Sequence, residues 1–121
     1  MIFPQPQLLL VDDSPLNLKI LMEFLPERQY RCTTAQGGQQ AWNMLEAEPD
    51  RFHAVLLDRI MPGMDGMELL RKIMADEPRP VIMLSSLMRE GDPLMEAALA
   101  AGAKACFNKS RVLQEAPRLL E

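Results

Sequence analysis

Residues 8–17 read Leu8-Leu9-Leu10-Val11-Asp12-Asp13-Ser14-Pro15-Leu16-Asn17. Four consecutive apolar residues have the length and character of a strand buried on both faces. Ser14 then makes a good helix N-cap, and Pro15 suits the first helical position. Leu16, Ile20, Leu21, Phe24 and Leu25 continue at helical spacing, which predicts a helix to about Glu27. Between strand and helix stand two adjacent acids that repel each other. Either they belong to a solvated turn or they hold something positive.

The same strand-then-helix alternation recurs along the chain. Residues 30–35, 53–58, 80–86 and 104–109 read as further strands. Helices are predicted from Gly37-Gly38 to just before Pro49, from about Met67 to Ala75, and from Asp92-Pro93 to a terminating Gly102. A last segment from Ser110 to Glu121 can be helical, with Pro117 shortening or kinking it. Five β-α units in a row predict a parallel sheet with helices on both faces, and right-handed crossovers leave few topologies. The expectation is one α/β domain over residues 1–121, a flavodoxin-like (βα)5 doubly wound sheet of order 2-1-3-4-5. Leu119 and Leu120 need cover, either from the last helix itself or because the chain is cut from a longer multidomain regulator or hybrid kinase.

Composition narrows the function classes. The 121 residues are 48% hydrophobic and 25% charged, an ordinary globular balance. A net charge of −4 argues against a nucleic-acid footprint. No apolar run approaches the roughly 20 residues of a membrane span, and the opening Met-Ile-Phe-Pro-Gln-Pro-Gln lacks the regions of a secretory signal. Cys32 and Cys106 have no metal-ligand spacing and read as reduced core residues of a cytoplasmic protein. His53 reads as a polar residue at the start of a strand, and most of the ten methionines read as core fillers, Met44 and Met83 among them. Met88 and Met95 mark a candidate contact face near the fourth helix.

The strand ends carry the functional signal. All strands of a parallel sheet run one way, so their C-terminal ends share a rim. Four of the five predicted strands end there on a charged or hydroxyl residue: Asp12-Asp13, Asp58, Ser85 and Lys109. The second strand ends on Thr33-Thr34-Ala35 without charge, as suits an edge strand away from the crevice. In the order 2-1-3-4-5 the first and third strands flank the switch point where ligands bind. Three carboxylates together there need more positive charge than Lys109 supplies. A hard divalent cation with oxygen ligands meets the need, and Mg²⁺ uses one or two carboxylates plus phosphate oxygens. A carboxylate beside such a metal can attack phosphorus, with the metal, a hydroxyl and an ammonium neutralising the phosphoryl oxygens.

In combination, Val11-Asp12-Asp13-Ser14-Pro15-Leu16-Asn17, residues 56–70, residues 80–86 and residues 101–109 resemble the receiver domain of two-component response regulators, in the chemotaxis style. The resemblance implies a phosphorylation-controlled signalling module rather than an enzyme on external substrates. It implies Asp58 as phosphoacceptor, Asp13 as a direct Mg²⁺ ligand, Asp12 as a ligand through water and the Ile60 carbonyl as a further metal ligand. Ser85 matches the hydroxyl residue that turns toward the phosphoryl group, and Lys109 the lysine that pairs with it. Implied partners are a histidine kinase or histidine phosphotransfer domain, and a second copy or an effector on the face from helix four through strand five to helix five.

Two positions depart from the family pattern. Ser110 replaces the usual proline after the lysine, so the Lys109–Ser110 bond is expected to be trans. Cys106 stands where the family often has a switching aromatic residue. A receiver-like interaction module independent of phosphorylation is the alternative reading, opposed by the intact Asp13, Asp58, Ser85 and Lys109. A metal-dependent phosphatase would carry Asp-x-Asp after the first strand, and a flavin carrier a Ser/Thr/Gly-rich phosphate loop there; this chain has Asp12-Asp13-Ser14.

Overall fold

The computed structural model describes residues 5–25, 29–58, 63–85 and 93–108. Among the described residues nine elements alternate: β1 (Gln7–Val11), α1 (Pro15–Phe24), β2 (Arg31–Ala35), α2 (Gly38–Ala47), β3 (Ala54–Asp58), α3 (Gly66–Asp76), β4 (Val81–Ser85), α4 (Pro93–Ala100) and β5 (Ala105–Asn108). The strands form one parallel sheet of order β2-β1-β3-β4-β5, as the alternation predicted. The expected ends at Lys109 and Asp92, and the segment from Ser110 onward, lie outside the described residues.

Because successive strand side chains point to opposite faces, each strand divides between two cores. Leu9, Val11, Val55, Leu57, Val81 and Met83 join residues of α2 and α3 and Ala98 of α4 in one buried cluster. Leu8, Leu10 and Leu84 join Leu18 and Leu21 of α1 in the other. The doubly wound architecture is thus written in strands that are apolar on both sides. Met83 is fully buried, while Met44 and Met95 pack against the first cluster. Met95 is partly buried against the core, and Met88 lies outside the described residues.

Two details of α1 differ from expectation. Leu16 is 66% exposed, while Leu18 and Leu21 are buried. Leu18, Leu21 and Leu25 fall on one helix face, whereas a residue two positions before Leu18 lies about 200° round the helix. The helix also stops at Phe24. Leu25 is already extended (φ −89°, ψ 115°), because the ring of the following Pro26 disfavours the helical conformation before it. At the other side of the sheet, Gly102 ends the α4 unit with φ +114°.

The N-terminal rim is pinned by side chains. The Arg51 guanidinium donates to Gln7 Oε1 (3.2 Å) and Thr33 Oγ1 (3.3 Å) and pairs with Glu48 (2.6 Å). His53 Nδ1 accepts the Gln7 backbone N–H at 2.9 Å, the ordinary strand-start role expected of it. Cys32 and Cys106 are free thiols on opposite edge strands. Burial raises the pKa of both above the ordinary thiol value.

Candidate functional site

Asp12 follows directly on β1. Its backbone N–H donates to the Ala35 carbonyl at 3.1 Å, extending the β1–β2 ladder by one bond. Its Oδ1 accepts the Ser14 backbone N–H at 2.9 Å, an Asx turn that swings the chain from strand to helix. Ser14 Oγ then accepts the Asn17 N–H at 3.3 Å and caps α1, with Pro15 beginning the helix as the sequence predicts. The turn buries Asp12 and leaves Asp13 exposed. Asp58 is the last residue of β3 and is 5% exposed.

Carboxylate oxygens of Asp12, Asp13 and Asp58 all lie within 4.8 Å of one another. The cause is register: Val11 of β1 stands opposite Leu57 of β3, so the acids that follow both emerge at the C-terminal rim. Such a donor set, all hard oxygen and partly buried, suits Mg²⁺ or another hard divalent cation. Ser85 ends β4 next to β3 and is 1% exposed. Asn108 of β5 is in register with Ser85, and Lys109 is the next residue in the chain. Thus three predicted acids are gathered and Ser85 ends the neighbouring strand, while Lys109 and Ile60 lie outside the described residues.

Two contributors were not read from the sequence. The Ser14 backbone N–H engages Asp12 directly, and the Asp-x-Ser-Pro pattern of an Asx turn leading into a cap was its local signal. Asp65 caps α3, its Oδ1 accepting the Glu68 N–H at 2.9 Å. The helix consequently starts at Gly66, one residue earlier than expected. The Asp65-x-x-Glu68 spacing announces it.

The chain is thus a doubly wound α/β module with an acidic cluster at the switch point, where such sheets bind their ligands. The profile of the response regulator receiver domain matches residues 8–119, and the chain belongs to that family. It is a receiver domain, the phosphorylation-dependent signalling module of response regulators. A protein-glutamate methylesterase/protein-glutamine glutaminase 2 of Rhodopseudomonas palustris (strain BisB18) is 43% identical over 99 residues, which is 80% of this chain but 26% of that relative. This chain therefore spans about a quarter of that relative's length. The response regulator domain of Thermotoga maritima CheB superposes with a TM-score of 0.83 at 29% identity, covering 97% of this chain and 92% of that one. A chain of the CheX-CheY-BeF3-Mg²⁺ complex from Borrelia burgdorferi superposes with a TM-score of 0.76 at 30% identity, covering 96% and 90%. Among the described residues no helix is long and apolar enough to cross a membrane.

Proposed function

We propose that Asp58 accepts a phosphoryl group from a phosphohistidine of a histidine kinase or phosphotransfer domain. The observation that carries the proposal is the three-aspartate cluster, with the buried Asp58 at the end of the central strand β3. An Asp58 carboxylate oxygen attacks phosphorus as the P–N bond breaks, and the imidazole leaves with the bonding electrons. Asp13, Asp12 through water, Asp58 and the Ile60 carbonyl would hold Mg²⁺, which supplies charge neutralisation at the phosphoryl oxygens. The Ser85 hydroxyl donates to one of those oxygens, and the Lys109 ammonium pairs with another. The chain's own chemistry is limited to acquiring this phosphate and losing it to water, in the cytoplasm.

The output surface runs from α4 through β5 to the segment after it. Leu99 on α4 is 45% exposed, an apolar side chain there that a second copy or an effector would cover. The short span of the methylesterase relative that this chain matches supports a role as the regulatory part of a longer protein.

The test is incubation with acetyl phosphate and Mg²⁺, followed by mass spectrometry of the wild type and Asp58→Asn. One phosphate on the wild type and none on the variant is expected. Equal modification of the variant moves the acceptor elsewhere, and no modification of either favours an interaction module independent of phosphorylation.

A further inference from the structure

Asp12 is held by a peptide unit whose other side is bonded to α2. Among the described residues β1 is the one strand neighbour of β2, at the edge of the sheet. At the end of β2, Ala35 stands in register with Val11, and its carbonyl accepts the Asp12 N–H at 3.1 Å. The same peptide unit carries the Gln36 N–H, which donates to Gln40 Oε1 at 3.0 Å. Because that unit is planar and trans, its carbonyl and its N–H point in opposite directions. Fixing the N–H from α2 therefore fixes the direction in which the carbonyl meets Asp12.

Gln40 takes this part because of what precedes it. Gly37 is the N-cap of α2 and has no side chain with which to close the turn. Gln40 stands three residues further on, where a glutamine reaches back over the first turn, as in a capping box. It reaches one residue beyond such a box, to the N–H before the cap, and so to the strand. The neighbouring Gln39 turns along the helix instead, its Nε2 donating to Asn43 Oδ1 at 3.0 Å. Two adjacent glutamines thus make bonds of the same length with unlike consequences. One bond stays within α2, and the other ties α2 to the end of β2.

At the far end of the series, Asp12 Oδ1 accepts the Ser14 N–H at 2.9 Å. Asp12 is thereby held through both its backbone and its carboxylate, and both holds place it in the three-aspartate cluster. We infer that Gln40 is a positioning residue of the metal site: through the Ala35–Gln36 peptide it sets where the Asp12 backbone stands, and with it the carboxylate that joins those of Asp13 and Asp58. The inference rests on the Mg²⁺ reading above. Gln40 is exposed, so water replaces its oxygen readily at the Gln36 N–H, but water does not tie that peptide to α2.

Calorimetric Mg²⁺ titration of wild type, Gln40→Met, Gln39→Met, Gln40→Glu and Gln39→Glu tests this, with exchange of the Asp12 amide hydrogen followed in chelator. Methionine keeps the length of glutamine and removes the acceptor. Gln40→Met should bind Mg²⁺ roughly threefold more weakly, less than the tenfold lower end for groups that bond a metal ligand directly. Its Asp12 amide should also exchange faster without metal. Gln39→Met, which breaks a bond of equal length inside α2, should match the wild type in both respects. Glutamate retains an acceptor oxygen, so Gln40→Glu should bind as tightly as Gln39→Glu, which carries the same added charge. Wild-type affinity in Gln40→Met overturns the inference. An equal loss in both methionine variants does so too, because it would mean a general loosening of α2. A wild type that binds no Mg²⁺ removes the metal reading itself and the inference with it, a result plainly different from equal binding by all five proteins.

Discussion

Val11 and Leu57 face each other across the β1–β3 ladder, and each is followed by an aspartate. That pairing brings Asp12 and Asp58 to the same rim from positions 46 residues apart in sequence. The Asx turn at Asp12 then adds Asp13 to the cluster. Three like charges this close raise the energy of the metal-free site, and a divalent cation lowers it.

Stability should accordingly depend on Mg²⁺. At about 100 times its dissociation constant, Mg²⁺ should raise the unfolding free energy of the wild type by about 2.7 kcal/mol. Asp13→Asn should lose most of that increment yet unfold no more easily than wild type without metal, because Asp13 is exposed and its removal relieves repulsion. Asp13→Ala should also weaken Mg²⁺ binding more than Asp12→Ala. Urea unfolding with and without Mg²⁺ reads both effects; an undiminished increment in Asp13→Asn would exclude it as a ligand.

Asp12→Ala should behave differently from Asp13→Ala in a second respect. It removes the acceptor for the Ser14 N–H, leaving a part-buried donor unmatched at a cost of about 1–3 kcal/mol. Asp12→Asn keeps an oxygen acceptor and should restore most of this stability without restoring metal affinity. Thermal unfolding of the three variants in chelator gives the comparison, and equal midpoints would contradict it.

Gly102→Ala should destabilise the fold by about 1–3 kcal/mol. Its φ of +114° is one that side chains rarely adopt, and the added Cβ would lie 2.9 Å from Met74 Cγ. Asp65→Ala should cost about 1 kcal/mol through loss of the α3 cap. Ser14→Ala should cost less, since its cap bond is longer, at 3.3 Å against 2.9 Å. Chemical unfolding orders the three, and a Ser14→Ala loss above that of Asp65→Ala would contradict the ranking.

The two thiols should react slowly. Burial raises the pKa of Cys32 and Cys106 in the folded chain, so folding favours the protonated thiol. That contribution to stability is fully present below the unfolded thiol pKa and fades as pH rises through the higher folded value, above the ordinary 9.0. Iodoacetamide at pH 8 should therefore modify both faster in urea than in buffer. Equal rates would show that the fold does not protect them.

Much of this was legible locally. Strands apolar on both sides, followed by capped helices, imply a doubly wound parallel sheet, because such strands are stable only when covered on both faces. Pro26 explains the end of α1 and Gly102 that of the α4 unit, each through its own backbone restriction. The acids at the strand ends were visible for the same reason, as polar residues terminating apolar runs. Leu16 and Leu18, by contrast, look alike in sequence, and only the packing of α1 on the sheet decides which is buried. Gln39 and Gln40 are likewise indistinguishable until α2 is laid against the end of β2, where Gln40 meets the Gln36 N–H and Gln39 turns to Asn43. Burial of Asp12 beside an exposed Asp13 depends on the turn that Ser14 closes and on the β1–β3 register. Register and helix placement are set by contacts between residues dozens of positions apart, and a local pattern does not encode a distance across the sheet.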